Sequence, residues 1–188
     1  KVNFEKITER LEILSDGLSV NVLAIAKLTI DDLVNGIETS KLDEIAARHA
    51  ANMNLIHPHY LDLASRIMIS NHHKNTFPTF SNTMGELYHN KDLHGKDVPL
   101  ISKAVYDIIM EYSGILDKAI KDERDYLINY FGFKTLHRSY FLRTMTAPVV
   151  YERPQYMWMR VAVEIHRENI DAVIETYNYL SKLIYTHA

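Results

Sequence analysis

The chain contains no cysteine. That absence excludes a disulfide framework, thiolate metal sites and any thiol chemistry carried by these residues alone. No apolar run approaches the roughly 20 residues a membrane-crossing helix needs, and no basic-then-apolar leader pattern opens the chain. Positive charge is in short supply as well. Lys and Arg number 21 against 24 Asp and Glu, a net of −3 at pH 7, so no basic field gathers nucleic-acid phosphates. No Gly-rich phosphate loop, no Ser/His/Asp arrangement, no internal repeat and no low-complexity tract stands out.

What is present suits a folded, mainly helical chain. Hydrophobic residues make up 47% and charged residues 24% of 188 residues, the balance of a globular protein with one ordinary domain or two small ones. Phe4, Ile7, Leu11, Leu14 and Leu18 recur at spacings of three and four and predict a first helix to about Ser15. Asp16-Gly17 supplies its stop. A second helix is expected over about Val22 to Asn35, with Leu23, Ala26, Ile30, Leu33 and Val34 on its core face. Thr39-Ser40-Lys41-Leu42-Asp43 reads as a weak capping box opening a third helix that carries Ile45, Ala46, Ala50 and Met53.

Beyond Pro58, Tyr60, Leu63, Ala64 and Ile67 start a helix running towards His73, and Phe77-Pro78 breaks it. A short helix carries Phe80, Met84, Leu87 and Tyr88. Residues 89–99 form the clearest loop and the best candidate boundary between an N-terminal unit and the rest. Leu100, Ile101, Ala104, Val105, Ile108 and Ile109 define a periodic helix, followed by a shorter one over 115–120. Tyr140–Arg143 and Val149–Tyr151, on either side of Pro148, read as the two strands of a short β-hairpin. Pro154 suits the first position of a helix, and two helices are expected over about 155–166 and 169–185.

Each constellation with chemical potential has a plainer counterpart. His57-Pro58-His59 and His72-His73 invite a histidine-based metal site, but adjacent helical positions point about 100° apart and no His-Glu-x-x-His pattern is present. Asp122-Glu123-Arg124-Asp125 is either a catalytic carboxylate cluster or a local ion-pair group, the second being the default. Arg138, Arg143, Arg153 and Arg160 either cradle an anion or brace neighbouring elements through carboxylates. Trp158, with Met157 and Met159, is core material. Lys6 opposes the dipole of the first helix unless an anion lies near it. Composition and spacing carry the reading no further than a mostly helical globular chain.

Longer motifs say more. Asn129-Tyr130-Phe131-Gly132-Phe133-Lys134-Thr135-Leu136, Arg138-Ser139-Tyr140, Glu152-Arg153-Pro154-Gln155, Met157, Met159-Arg160-Val161 and Glu175-Thr176-Tyr177-Asn178 resemble the large subunit of class I ribonucleotide reductase. The resemblance continues upstream through Phe4-Glu5-Lys6-Ile7-Thr8, Thr39 with Leu42-Asp43, His57-Pro58, and Ser70-Asn71 with His73-Lys74. It runs in order over essentially the whole chain.

The resemblance implies a mainly α fold in two parts. Residues 1–76 would form a partial ATP-cone, a small helical domain that takes ATP or dATP as allosteric effector. Residues 77–188 would form the helical region preceding the catalytic barrel. The matching activity-site positions are Asn3 for the base, Lys6 and Lys74 for the phosphates, and Thr39 and Asp43 on the base or sugar side. The parent enzyme would reduce ribonucleoside diphosphates by thiyl-radical chemistry. It would work in the cytoplasm, with no membrane or nucleic-acid partner and no metal in this chain. Its partners would be the remainder of the large subunit, a second large subunit and a radical-generating small subunit. The first strand of the family's cone has no counterpart before Lys1, and the family's catalytic cysteines lie beyond Ala188, so this chain alone is expected to be inactive. A reading from another class is a free-standing protein-interaction domain descended from a reductase, which has no need to keep Asn3, Lys6, Thr39, Asp43 and Lys74 together.

Overall fold

The computed structural model describes residues 4–32, 39–144 and 150–185, without the side chains of Thr39 and Ser40. Among these residues the elements are ten α-helices and one 3-10 helix. They group into two units, the first comprising 1–74 with 128–134 and the second comprising 75–127 with 135–188.

The first unit holds α1 (Phe4–Leu14), α2 (Val22–Asp31), α3 (Thr39–Asn52) and α4 (His59–Lys74). Its core gathers Leu11, Ile25, Ala26, Ala46, Ala47, Ala50, Tyr60, Leu63, Ala64, Ile67 and Tyr130. Three alanines on one side of α3 explain its close packing with α4, since small side chains let two helix backbones approach. Asn21 caps α2 by accepting from the Ala24 N–H at 3.0 Å.

The buried face of α2 differs from the expected one. Ala26 is buried as expected, but Ile25 and Thr29 are buried beside it, whereas Leu23 is 58% exposed; Leu33 and Val34 lie outside the described residues. This helix is apolar on nearly every side, so spacing alone does not fix its rotation. The rotation is set instead from outside, where the Asn21 N–H donates to the Tyr60 hydroxyl at 3.0 Å, while the buried Thr29 satisfies its hydroxyl within the helix by donating to the Ile25 carbonyl at 2.7 Å.

The second unit holds α5 (Phe80–Tyr88), α6 (Lys103–Glu111), α7 (Ser113–Ala119), a 3-10 helix (Asp122–Leu127), α9 (Pro154–His166) and α10 (Ile170–Ser181). Thr79, Ser102 and Asn169 cap α5, α6 and α10 with their side chains, and Pro154 occupies the first turn of α9. Met157, Trp158 and Met159 are buried, as their composition implies. The 89–99 loop lies inside this unit and folds on itself. Asp92 accepts from the His94 and Lys96 N–H groups, and Gly95 takes a φ of +79° that suits glycine.

Helix α8 (Tyr130–Ser139) was not among the expected elements. Asn129 opens it by accepting from the Gly132 N–H at 2.8 Å. The end of this helix takes up the first two residues of the expected hairpin. Tyr140 and Phe141 both donate their N–H groups to the Leu136 carbonyl, closing a helix rather than starting a strand. What remains of the hairpin among the described residues is one antiparallel bridge, Arg143 to Val150; Val149 lies outside them.

Candidate functional site

The strongest polar convergence in the first unit joins α1, α3 and α4. Arg10 on α1 donates from Nε to Asp43 Oδ1 at 2.8 Å and from Nη2 to Asp43 Oδ2 at 2.7 Å. This two-nitrogen grip matches the planar guanidinium to the planar carboxylate. Arg10 Nη2 also lies 3.4 Å from Ser70 Oγ on α4. Asp43 is only 7% exposed.

Lys74 stands one helical turn after Ser70 on α4, at an exposed position. Its pKa is lowered, first by partial burial and then by the Arg10 charge, with Asp43 opposing. Lys6 is exposed on α1 one turn before Arg10, on the same face of that helix. Arg10 and Lys74 thus lie by one carboxylate that Arg10 already neutralises, with Lys6 one turn away along α1. Such a place can attract an anion carrying several charges, and phosphates are the natural class.

Of the five site residues expected from the sequence, Asp43 and Lys74 are brought together, and Lys6 falls on the same stripe of α1 as their partner. Asn3 lies outside the described residues. Thr39 opens α3, and its side chain lies outside the described set. Arg10 was missed. Its signal was the spacing of four from Lys6, but an arginine on an amphipathic helix is ordinarily read as a solvated face.

Several of the other constellations have structural partners. In the second unit Arg153 donates to Asp122 Oδ2 at 3.0 Å and to Thr76 Oγ1 at 2.8 Å. The fully buried Asp125 accepts from the backbone N–H and the Nε2 of Gln155. Arg160 donates to both oxygens of the buried Glu152, at 2.6 and 3.1 Å. Arg143 donates to the His137 carbonyl, and Arg138 is exposed. The charge run and three of the four arginines therefore brace the unit. In the first unit His59 Nδ1 accepts from the Ser19 N–H at 2.8 Å and His57 Nδ1 from the His59 N–H at 3.2 Å, which commits one nitrogen of each ring to the backbone. No helix of the described residues is long and apolar enough to cross a membrane.

The family described as ribonucleotide reductase, all-alpha domain, matches residues 126–188, the stretch that carries α8, α9 and α10. Over its full length the chain is 47% identical to a ribonucleoside-diphosphate reductase large subunit of Arabidopsis thaliana, covering 23% of that protein. It is 46% identical to the large chain of Schizosaccharomyces pombe, again over the whole chain and 23% of the relative. The large subunit of Monkeypox virus is 46% identical over the whole chain and 24% of its own length. The chain spans about a quarter of the length of these curated relatives. It belongs to the ribonucleotide reductase large-subunit family and corresponds to an N-terminal region of that subunit.

Proposed function

We propose that the chain serves as the N-terminal part of a ribonucleoside-diphosphate reductase large subunit, an oxidoreductase that supplies deoxyribonucleotides for DNA synthesis. The reduction would take place on the remainder of the large subunit, because a thiyl step needs a thiol and these 188 residues contain none. The second unit acts as scaffold: its buried charges are spent on bracing, with Glu152 and Asp125 both fully enclosed. Its partners are the rest of the subunit, a second large subunit and a radical-generating small subunit, in the cytoplasm.

The first unit is an ATP-cone-like regulatory module that takes ATP or dATP. One observation carries this reading: Arg10 pairs with the buried Asp43 and Lys74 lies within reach of both charges, with Lys6 one turn before Arg10 on the same face of α1. Lys6 and Lys74 would hold the phosphates, and Asn3, Thr39 and Asp43 the base and sugar. Calorimetry with ATP and dATP tests it, with Lys74→Ala as control. Saturable binding that weakens at least tenfold in Lys74→Ala is expected, since a phosphate contact to a cation is worth about 1.5–3 kcal/mol. Wild-type chain that takes up neither nucleotide, or a Lys74→Ala variant that binds equally well, would sink the assignment.

A further inference from the structure

We propose that Arg10 is a positioning residue of this anion site: by holding the buried Asp43 carboxylate in its two-nitrogen grip, it makes attractive to phosphate a place that would otherwise repel it. The inference rests on the nucleotide reading of the same cluster and adds to it a residue and an electrostatic role.

The argument starts from burial. The Asp43 side chain is 9% exposed and that of Arg10 24%, so water does little to screen the carboxylate. A polyphosphate drawn in by Lys6 and Lys74 would meet that negative charge at short range. Like charges in a poorly solvated setting repel strongly. The guanidinium removes the conflict by meeting both carboxylate oxygens, at 2.8 and 2.7 Å. Its contact with Ser70 Oγ places it beside the Ser70–Lys74 stripe of α4. The Lys74 pKa is lowered first by partial burial and then by Arg10, with Asp43 opposing, which places all three charges within reach of one another.

The geometry also explains why the residue is arginine. A lysine presents one ammonium and cannot meet both oxygens of a carboxylate in its plane. With a weaker partner, Asp43 would draw Lys74 towards itself and take a phosphate ligand out of use. Arg10 thus acts through Asp43, leaving Lys6 and Lys74 to face the ligand.

Tripolyphosphate and ATP, titrated separately by calorimetry into the 188-residue chain and its Arg10→Gln, Asp43→Asn and doubly substituted variants, provide the test. Tripolyphosphate reports the phosphate subsite without base or sugar. Arg10→Gln should lower its affinity about tenfold, equivalent to about 1.4 kcal/mol. Asp43→Asn should raise it several-fold, and the double variant should return to within about threefold of wild type. An NMR titration of the Lys74 side chain should show its pKa rising in Arg10→Gln, and the gain in tripolyphosphate affinity in Asp43→Asn is the change that a merely structural role for the pair would not produce. Unchanged tripolyphosphate affinity in folded Arg10→Gln, or an unchanged Lys74 pKa, overturns the proposal. If Arg10→Gln does not fold, Asp43→Asn decides, and unchanged or weaker binding there overturns it. Wild-type chain that takes tripolyphosphate but shows no preference for ATP defeats the nucleotide reading alone. Wild-type chain that takes neither defeats both.

Discussion

The Tyr177 hydroxyl donates to Gln155 Oε1 at 2.7 Å, tying α10 to α9 in a fully buried place. The same hydroxyl accepts from the Lys121 N–H at 2.9 Å. Gln155 Nε2 in turn donates to Asp125 at 3.0 Å. A chain of polar groups therefore runs through the second unit, each member supplied by the next, as burial demands.

That placement pushes the Tyr177 pKa up to about 12, chiefly by burial, against an ordinary value of 10.0. A group whose pKa is higher folded than unfolded contributes stability that is intact below the unfolded value and is lost as pH rises towards the folded one. The second unit should therefore lose stability between about pH 10 and pH 12. Tyr177→Phe strands the Lys121 N–H and the Gln155 oxygen, so at neutral pH it should cost about 1–3 kcal/mol. Denaturant titrations of both proteins across the alkaline range check this. The gap between them should narrow above pH 10, and a gap that widens would contradict the assignment.

Glu152 and Arg160 differ in exposure, and the difference orders their variants. Glu152 is entirely buried and also accepts from the Leu142 N–H at 2.9 Å, while the Arg160 side chain is 20% exposed. Arg160→Met leaves a carboxylate with no route to water and should cost about 3–5 kcal/mol. Glu152→Gln keeps an acceptor for the guanidinium, which can itself turn to solvent, and should cost about 1–2 kcal/mol. Chemical denaturation of the two variants gives the comparison, and equal losses would show that burial does not set the order.

Asn129 tests the helix that sequence reading missed. Its side chain caps α8 through the Gly132 N–H, and Asn129→Ala should cost about 1 kcal/mol. Asn129→Ser, which keeps an acceptor, should cost less. Thermal melts resolve the pair, and indistinguishable variants would mean that the cap is idle.

How much was legible follows from these residues. Helices with a polar back face, such as α1 with Leu11 inward, could be read from spacing, and so could the start of α9 at Pro154. Helix α2 could be located but not oriented, because apolar residues cover nearly its whole surface and Tyr60, 39 residues beyond Asn21, fixes its rotation. Helix α8 was hidden because its aromatic residues, with Phe133 fully buried and Phe131 60% exposed, also suit a loop or strand. In the candidate site, resemblance pointed to Asp43 and Lys74. The grip on Asp43 spans 33 residues of sequence, a separation at which no local pattern specifies a partner.

Arg167 stands where α9 ends, with φ 53° and ψ −121°. A side chain is strained in this region of backbone space and glycine is not. Its N–H still closes the helix by donating to the Val163 carbonyl at 2.8 Å. Among the described residues its side chain makes an exposed ion pair with Glu164 at 2.7 Å, the two being 44% and 53% exposed, a pair worth little against water. Arg167→Gly should relieve about 1–3 kcal/mol of strain. It gives back roughly 0.5–1 kcal/mol through the greater freedom of the unfolded chain. The net expectation is a gain of about 1 kcal/mol. Arg167→Ala separates the two causes: it removes the same ion pair but retains the strained backbone, so it should stay within about 0.5 kcal/mol of wild type. Denaturant midpoints for the three proteins decide, and a glycine variant less stable than the alanine one would show that the turn between α9 and α10 carries no strain.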